Sequence, residues 1–229
     1  MKFYSNQLSQ LIEKIAGGTI KSLLLYGHNR GFISAIIEQL VKKFDFFSVN
    51  LNGKEATEAN LNLLANTSNF FKQKELIKID YNGSAVNKEL MRFLTTGNFT
   101  NFICFIGDES LPSSGIRKLF EDSAHMAAIG CYYDDENMVV KLANSMALKH
   151  QKTISEEALF YIKVSLKGDY QIIKNELEKL INYTHNKGKI TYEDAQAAIS
   201  PDLSANGDEM CIFFSKKEPE LFLAEVEKL

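Results

Sequence analysis

The residues Leu23-Leu24-Leu25-Tyr26-Gly27-His28-Asn29-Arg30-Gly31-Phe32-Ile33-Ser34 constrain the fold of this chain more than any other stretch. An unbroken apolar run closed by glycine reads as a strand buried on both faces, since a half-buried strand would alternate. Ile33, Ile36, Ile37, Leu40, Val41 and Phe44 then recur at helical spacing. Strand, tight loop and helix in that order form the setting of a phosphate-binding P-loop. Such a loop reads Gly, four residues, Gly, Lys, then Ser or Thr, because bare amides cradle phosphates and a lysine reaches them. Gly27 and Ser34 fit, but Phe32 holds the second glycine position and Ile33 the lysine position. Losing only the charged hydrogen bond costs roughly 1.5–3 kcal/mol, about 10- to 150-fold in affinity. The loop reads as degenerate and structural, with nucleotide binding weak or absent.

Around it the chain alternates. A helix carrying Leu8, Leu11, Ile12 and Ile15 ends at Gly17-Gly18, and a strand follows over 22–26. Further strands are expected over 46–50, 75–81, 102–107 and 127–131, with helices over 58–65, 87–95 and 113–124. Strands and helices in alternation imply an α/β fold, a parallel sheet of five strands covered on both faces. After Tyr133 no strand is expected, and helices run over 137–150, 155–165, 170–184 and 191–199. Ser155 before Glu156 and Glu157, and Thr191 before Glu193 and Asp194, read as N-caps with acids at the positive helix end. The stretch 201–207 reads as a linker. Helical pieces over 208–214 and 219–229 end in mid-pattern, with Phe222, Val226 and Leu229 still spaced for burial. The domains are therefore expected at 1–136 (α/β), 137–203 (helical) and 204–229 (the start of a third, helical and incomplete).

Composition excludes several classes. The cysteines Cys104, Cys131 and Cys211 are odd in number, far apart and without Cys-x-x-Cys spacing, which suits reduced thiols in a cytoplasm. Gln7, Gln10 and Glu13 interrupt any signal-peptide core, and no apolar run approaches ~18 residues, so neither secretion nor a membrane span is expected. Net charge is −3, from 26 Lys and Arg against 29 Asp and Glu, and the basic residues are dispersed. A strong solitary nucleic-acid binder is not expected on that balance, whereas contact with DNA through a larger assembly is compatible with it.

Several short segments occur in an order that resembles a known family. They are Ser68-Asn69-Phe70-Phe71, then Leu111-Pro112-Ser113-Ser114-Gly115-Ile116-Arg117-Lys118-Leu119-Phe120-Glu121, then Cys131-Tyr132-Tyr133-Asp134-Asp135-Glu136. Gly168-Asp169 followed by Asn175-Glu176-Leu177-Glu178-Lys179-Leu180 is the most specific, and Gly188-Lys189-Ile190-Thr191 closes the series. From Leu23 to Ser200 the chain resembles the delta subunit of bacterial DNA polymerase III, the clamp-loader component that opens the sliding clamp. With its defective P-loop and small helical lid it also resembles the AAA+ fold.

The resemblance implies a protein that binds the ring-shaped clamp, the beta subunit, with its first domain and does not hydrolyse ATP. It implies assembly with the delta prime and tau/gamma loader subunits through a helical collar, contact with DNA through that complex, and no cofactor. It places the chain within a DNA-directed DNA polymerase, a nucleotidyltransferase, without giving it a catalytic residue. In the family the clamp contact is a Ser-Leu-Phe wedge, and the matching positions are Ser68, Asn69 and Phe70. Asn69 replaces the leucine and Phe71 stands where a small residue is usual, so the wedge reads as Phe70 with Phe71. Two adjacent aromatics between Asn66-Thr67-Ser68 and Lys72-Gln73-Lys74 form an apolar tip in a polar collar, suited to a partner's pocket. Each phenylalanine buried there contributes ~1.5–3 kcal/mol. The plain alternative is that one or both rings face their own core.

Other candidates weigh less. Asp108-Glu109 follows an apolar strand like the acidic pair of P-loop ATPases, yet the matching strand is the preceding one, where Asp80 is followed by Tyr81. Arg117 reads as a solvated surface residue. His28, His125, His150 and His185 are dispersed and lack metal-site spacing, so no metal is expected. Ser113-Ser114-Gly115 lacks the leading Gly-x of a nucleophile elbow, and a helix start explains both serines. Ile172, Ile173, Leu177, Leu180 and Ile181 read as the core stripe of the helical part. The leading functional class is an interaction protein. The competing class is an active AAA+ ATPase or nucleotide-gated switch, separated from it by the lysine missing at Ile33. A third reading is a scaffold subunit that lost clamp contact when Asn69 took the leucine's place.

Overall fold

The structure is a computed structural model that describes residues 1–52, 55, 57–66, 74–81, 88–97, 99–108, 111–132, 136–200, 214 and 223. The chain divides into two compact units, Met1–Met138 with Gly168–Ile172, and Val139–Lys167 with Ile173–Leu229. In the first unit the elements run β1 (Lys2–Phe3), α1 (Leu8–Ala16), β2 (Ser22–Tyr26), α2 (Arg30–Phe44), β3 (Phe47–Asn52), α3 (Glu58–Asn66), β4 (Glu75–Asp80), α4 (Lys88–Thr96), β5 (Phe102–Ile106), α5 (Ile116–Asp122) and β6 (Met126–Gly130). The strands form one parallel sheet in the order β1-β6-β2-β5-β4-β3. Central β2 is buried throughout, because β5 and β6 pair with its edges and helices cover its faces. Edge strand β3 is the polar one, with Phe47, Ser48, Asn50 and Asn52 exposed. One apolar cluster joins Leu24, Ile77 and Phe105 of the sheet to Leu61, Phe93 and Phe120 of the helices.

The sheet has six strands where the sequence suggests five. The extra one, β1, pairs Lys2 with Ala128 and Phe3 with Ile129 on β6. Two residues are too few to show a period. Phe3 is nonetheless buried, and the Met1 nitrogen donates to the carbonyls of Phe120 (2.6 Å), Ser123 (2.8 Å) and Met126 (2.7 Å). Helix α5 is shorter than expected and does not start at the serines. Gly115, at φ 63° and ψ −126°, turns the chain immediately before Ile116, and no side chain caps the helix.

The expectation that strands end after Tyr133 also fails. Among the elements α6 (Glu136–Lys149), β7 (Thr153–Ile154), α7 (Glu156–Ser165), α8 (Tyr170–Tyr183), β8 (Lys189–Ile190) and α9 (Tyr192–Ala198), two residues of β7 pair in parallel with two of β8. The Lys152 ammonium, buried beside β7, donates to the carbonyls of Thr184 (2.5 Å) and Lys187 (2.6 Å). It thereby serves the carbonyl immediately after α8 and one in the turn that follows. The caps read from sequence form: Ser155 accepts from the Ala158 amide at 3.2 Å, and Thr191 and Asp194 make a reciprocal capping box on α9. Ile173, Leu177, Leu180 and Ile181 are buried as a stripe, whereas Ile172 is 60% exposed. A one-residue step turns a helix by about 100°, and this takes Ile172 off the stripe. The expected linker over 201–207, the helical pieces over 208–214 and 219–229 and the third domain lie outside the described residues, apart from Phe214 and Leu223.

Candidate functional site

The loop after β2 is shaped by its own chain. Gly27 has φ 126°, and a Cβ there would strike the Cys131 carbonyl oxygen. The Cys131 amide donates to the Tyr26 carbonyl at 2.6 Å and the Asn29 amide to the Cys131 carbonyl at 3.1 Å, so this glycine is required by the crossing of two backbones. Helix α2 starts at Arg30. Phe32 and Ile33 turn into the protein, at 6% and 2% exposure, while Ser34 is exposed. The position where a P-loop lysine would face phosphate therefore lies in the core.

The first four amides of a helix lack partners in their own helix and are what a phosphate exploits. All four of α2 have protein acceptors. Counted from the N-cap, Asn29 donates to the Cys131 carbonyl at 3.1 Å and Arg30 to the His28 carbonyl at 2.9 Å. Phe32 donates to Asn29 Oδ1 at 2.9 Å, and Gly31 donates to Asp169 Oδ2, also at 2.9 Å. Asn29 is fully buried, and its Oδ1 also accepts from the Tyr170 amide at 3.1 Å. Asp169 Oδ1 accepts from Gln171 at 2.7 Å, and the rings of Phe32 and Tyr170 lie 5.4 Å apart. A Cβ on Gly31 would strike Asp169 Oδ1 and come within 2.6 Å of the Gln171 nitrogen. Gly168–Ile172 packs with the first unit, so the whole arrangement lies within it.

Beside the loop, the Tyr26 hydroxyl donates to Glu121 Oε1 at 3.2 Å and Arg117 Nε donates to the same oxygen at 3.0 Å. The Arg117 guanidinium also sits 4.5 Å from the centre of the Tyr26 ring. Arg117 is thus packed and paired, not a solvated surface residue. Burial pushes the Tyr26 phenol up, against the pull of Arg117. Burial acts to raise Glu121 as well, but the Arg117 hydrogen bond and charge hold it below its ordinary value. Buried Cys104 is pushed up to about 12 by loss of solvent, and Cys131 is raised for the same reason. Such thiols are poor nucleophiles.

Of the acidic candidates, Asp80 and Asp108 follow different strands, at the ends of β4 and β5. Asp80 ends β4, exposed, in register with Ile106, and Glu109 lies outside the described residues. A cleft at the carboxyl ends of β3, β4 and β5 is lined by Arg30, Asn50, Asn52 and Asp80, and Arg30 Nη1 donates to the Gly107 carbonyl at 3.3 Å. Among the described residues no three His, Cys, Asp or Glu are placed to hold a metal ion, and no helix is long and apolar enough to cross a membrane.

No protein-family model matches the chain. It is 37% identical over 229 residues to the probable DNA polymerase III subunit delta of Rickettsia prowazekii (strain Madrid E), covering 100% of this chain and 71% of that relative. The chain belongs to the DNA polymerase III delta subunit family. Among solved structures, the Bacillus subtilis DNA clamp loader delta protein matches 97% of this chain and 71% of its own, with TM-score 0.63 and 16% identity. The Thermotoga maritima RuvB Holliday junction branch migration motor matches 84% of this chain and 66% of its own, with TM-score 0.50 and 13% identity. At those identities the two structures show the fold alone.

For this member of the delta family, the expected wedge Ser68, Asn69, Phe70 and Phe71 lies outside the described residues, between the ends of α3 and β4. The degenerate loop residues Gly27, Phe32, Ile33 and Ser34 are all described. Asn29 and Asp169 were not singled out for any role by sequence reasoning. An Asn three residues before Phe32 is an N-cap signature and was available. The meeting of Asn29 and Asp169 was not, since 138 positions separate the Gly31 amide from its acceptor.

Proposed function

We propose that this delta-family chain acts in a clamp loader by binding the sliding clamp and opening its ring for loading on DNA, without binding or hydrolysing ATP. The observation that carries the reading is the start of α2: within a delta-family chain, the amides a phosphate would need donate to Asn29, Asp169 and backbone carbonyls, and Ile33 is buried. Phe70 and Phe71, flanked by Ser68 and Asn69, are the anchors of the clamp contact. Opening follows if they engage the open ring better than the closed one, since a ligand shifts an equilibrium only by its differential affinity. The domains are 1–136 for the clamp, 137–203 for the lid and 204–229 for the start of a collar. The partners are the beta clamp, delta prime and tau/gamma subunits, with DNA reached through the complex, in the cytoplasm.

The test is calorimetric titration of the chain with its cognate sliding clamp, repeated with Phe70→Ala and Phe71→Ala and with ATP present or absent. Binding independent of ATP and weakened by ~2 kcal/mol or more in either variant supports the reading. A folded chain that does not bind the clamp rejects it, and binding that requires ATP turns it into a nucleotide-gated switch.

A further inference from the structure

We propose that Asp169 is a built-in occupant of the anion position at the start of α2, forming with Asn29 a joint between the loop and the start of α8 that needs no nucleotide. The inference deepens the nucleotide-independent part of the reading above and rests on it.

The positive end of a helix attracts an anion, and its free amides orient one. On α2, 15 residues long, the anion supplied is the Asp169 carboxylate, 2.9 Å from the Gly31 amide. Its other oxygen accepts from Gln171 in the first turn of α8, so one carboxylate serves two helix starts. Asn29 does the same in reverse, with one oxygen accepting from Phe32 on α2 and Tyr170 on α8. The contact of the Phe32 and Tyr170 rings closes the joint on its apolar side. Gly31 is the residue that lets Asp169 approach, because any Cβ there meets the carboxylate. A phosphate entering this position would have to displace a carboxylate tethered by its own backbone. The joint is therefore made at every nucleotide concentration.

The experiment is residue-resolved amide exchange by NMR on the full chain, for the wild type, Asp169→Ala and Asp169→Asn, each with and without MgATP as the probe. Removing a charged acceptor should speed exchange at Gly31 and Gln171 by about tenfold or more, while Leu24 and Leu25 in β2 stay protected. Gly31 and Gln171 meet different oxygens of Asp169, and an asparagine presents an NH2 donor in place of one of them, so one of the two amides should quicken in Asp169→Asn. If Asp169→Ala loses protection throughout β2 it has unfolded, and Asp169→Asn alone decides. Unchanged Gly31 and Gln171 rates in a folded variant, with ATP without effect on the wild type, overturn the joint and leave the nucleotide-independent reading standing. Slowing of the wild-type Gly31 amide by ATP overturns both.

Discussion

Asn29 and Asp169 each cap the other's helix: the Asn29 side chain accepts from Phe32 and Tyr170, and the Asp169 carboxylate accepts from Gly31 and Gln171. Neither residue is replaceable by a group of similar size without an acceptor. Asn29→Ala leaves two amides unserved in a buried place and should cost about 2 kcal/mol or more in a urea titration. Asn29→Asp keeps the acceptor oxygen but brings a second negative charge to a site that already holds Asp169, so it should recover only part of that loss. Equal stability of Asn29→Ala and the wild type would show that water replaces the cap.

Gly27 and Gly18 separate two causes of a glycine requirement. Both have positive φ, 126° and 71°, but a Cβ at Gly18 meets nothing within 4 Å while one at Gly27 strikes the Cys131 carbonyl. Gly18→Ala should therefore cost only the left-handed penalty, about 1–2 kcal/mol. Gly27→Ala should cost at least about 3 kcal/mol or abolish soluble expression, because β6 and the loop would have to part. Comparison of the two midpoints in chemical denaturation checks this.

How far the sequence revealed the fold depended on the length of each signal. The apolar runs of β2, β5 and β6 show plainly, since strands buried on both faces leave no polar residue to confuse the reading. β1, β7 and β8 are two residues each and carry no period, so only their partners reveal them. Gly115 hid the start of α5 because a glycine reads equally well within a turn or before a helix. At the site, the missing lysine was legible as a letter. That Ile33 faces the core, and that Asp169 fills the vacated place, depends on a contact across the fold that no local pattern encodes. Gly168-Asp169 stood out only as part of a family resemblance, and the structure supplies a physical role for it.

Arg117 should behave as a packed residue. Its guanidinium lies over Tyr26 and bonds Glu121, and its side chain is 20% exposed in the pair. A partly exposed cation over an aromatic ring contributes about 0.5–1 kcal/mol and an i, i+4 ion pair a few tenths more. Arg117→Ala should then lower stability by roughly 1 kcal/mol, with Arg117→Lys recovering less than half, since an ammonium cannot stack as a plane. A neutral effect of both substitutions would return Arg117 to the solvated class.

Asp194 sets an acid limit on the second unit. The Lys187 hydrogen bond at 2.5 Å is the largest cause holding its carboxyl below the ordinary aspartate value, and the Thr191 amide and hydroxyl add to it. A depressed folded value means that the unfolded chain takes up the proton first as pH falls. The stabilisation is complete above the unfolded value of about 3.9 and is lost as pH drops through the folded one. The stability difference between the wild type and Asp194→Asn, measured by urea titration at several pH values, should be largest near neutrality and shrink below about pH 4. A difference that does not change with pH would show that the cap acts through hydrogen bonding alone.

Restoring the letters of a P-loop should not restore its function. Phe32→Gly with Ile33→Lys rebuilds the second glycine and the lysine, yet Ile33 is 2% exposed and the new ammonium would start in an apolar core. Burying it unpaired, and emptying the space of the Phe32 ring, should together cost more than about 3 kcal/mol. The Gly31 amide would still be held by Asp169. The double variant is therefore expected to unfold earlier in a urea titration and to give no heat when titrated with MgATP. Measurable ATP binding by the folded variant would mean that the loop keeps a phosphate-ready shape and that Phe32 and Ile33 alone had blocked it.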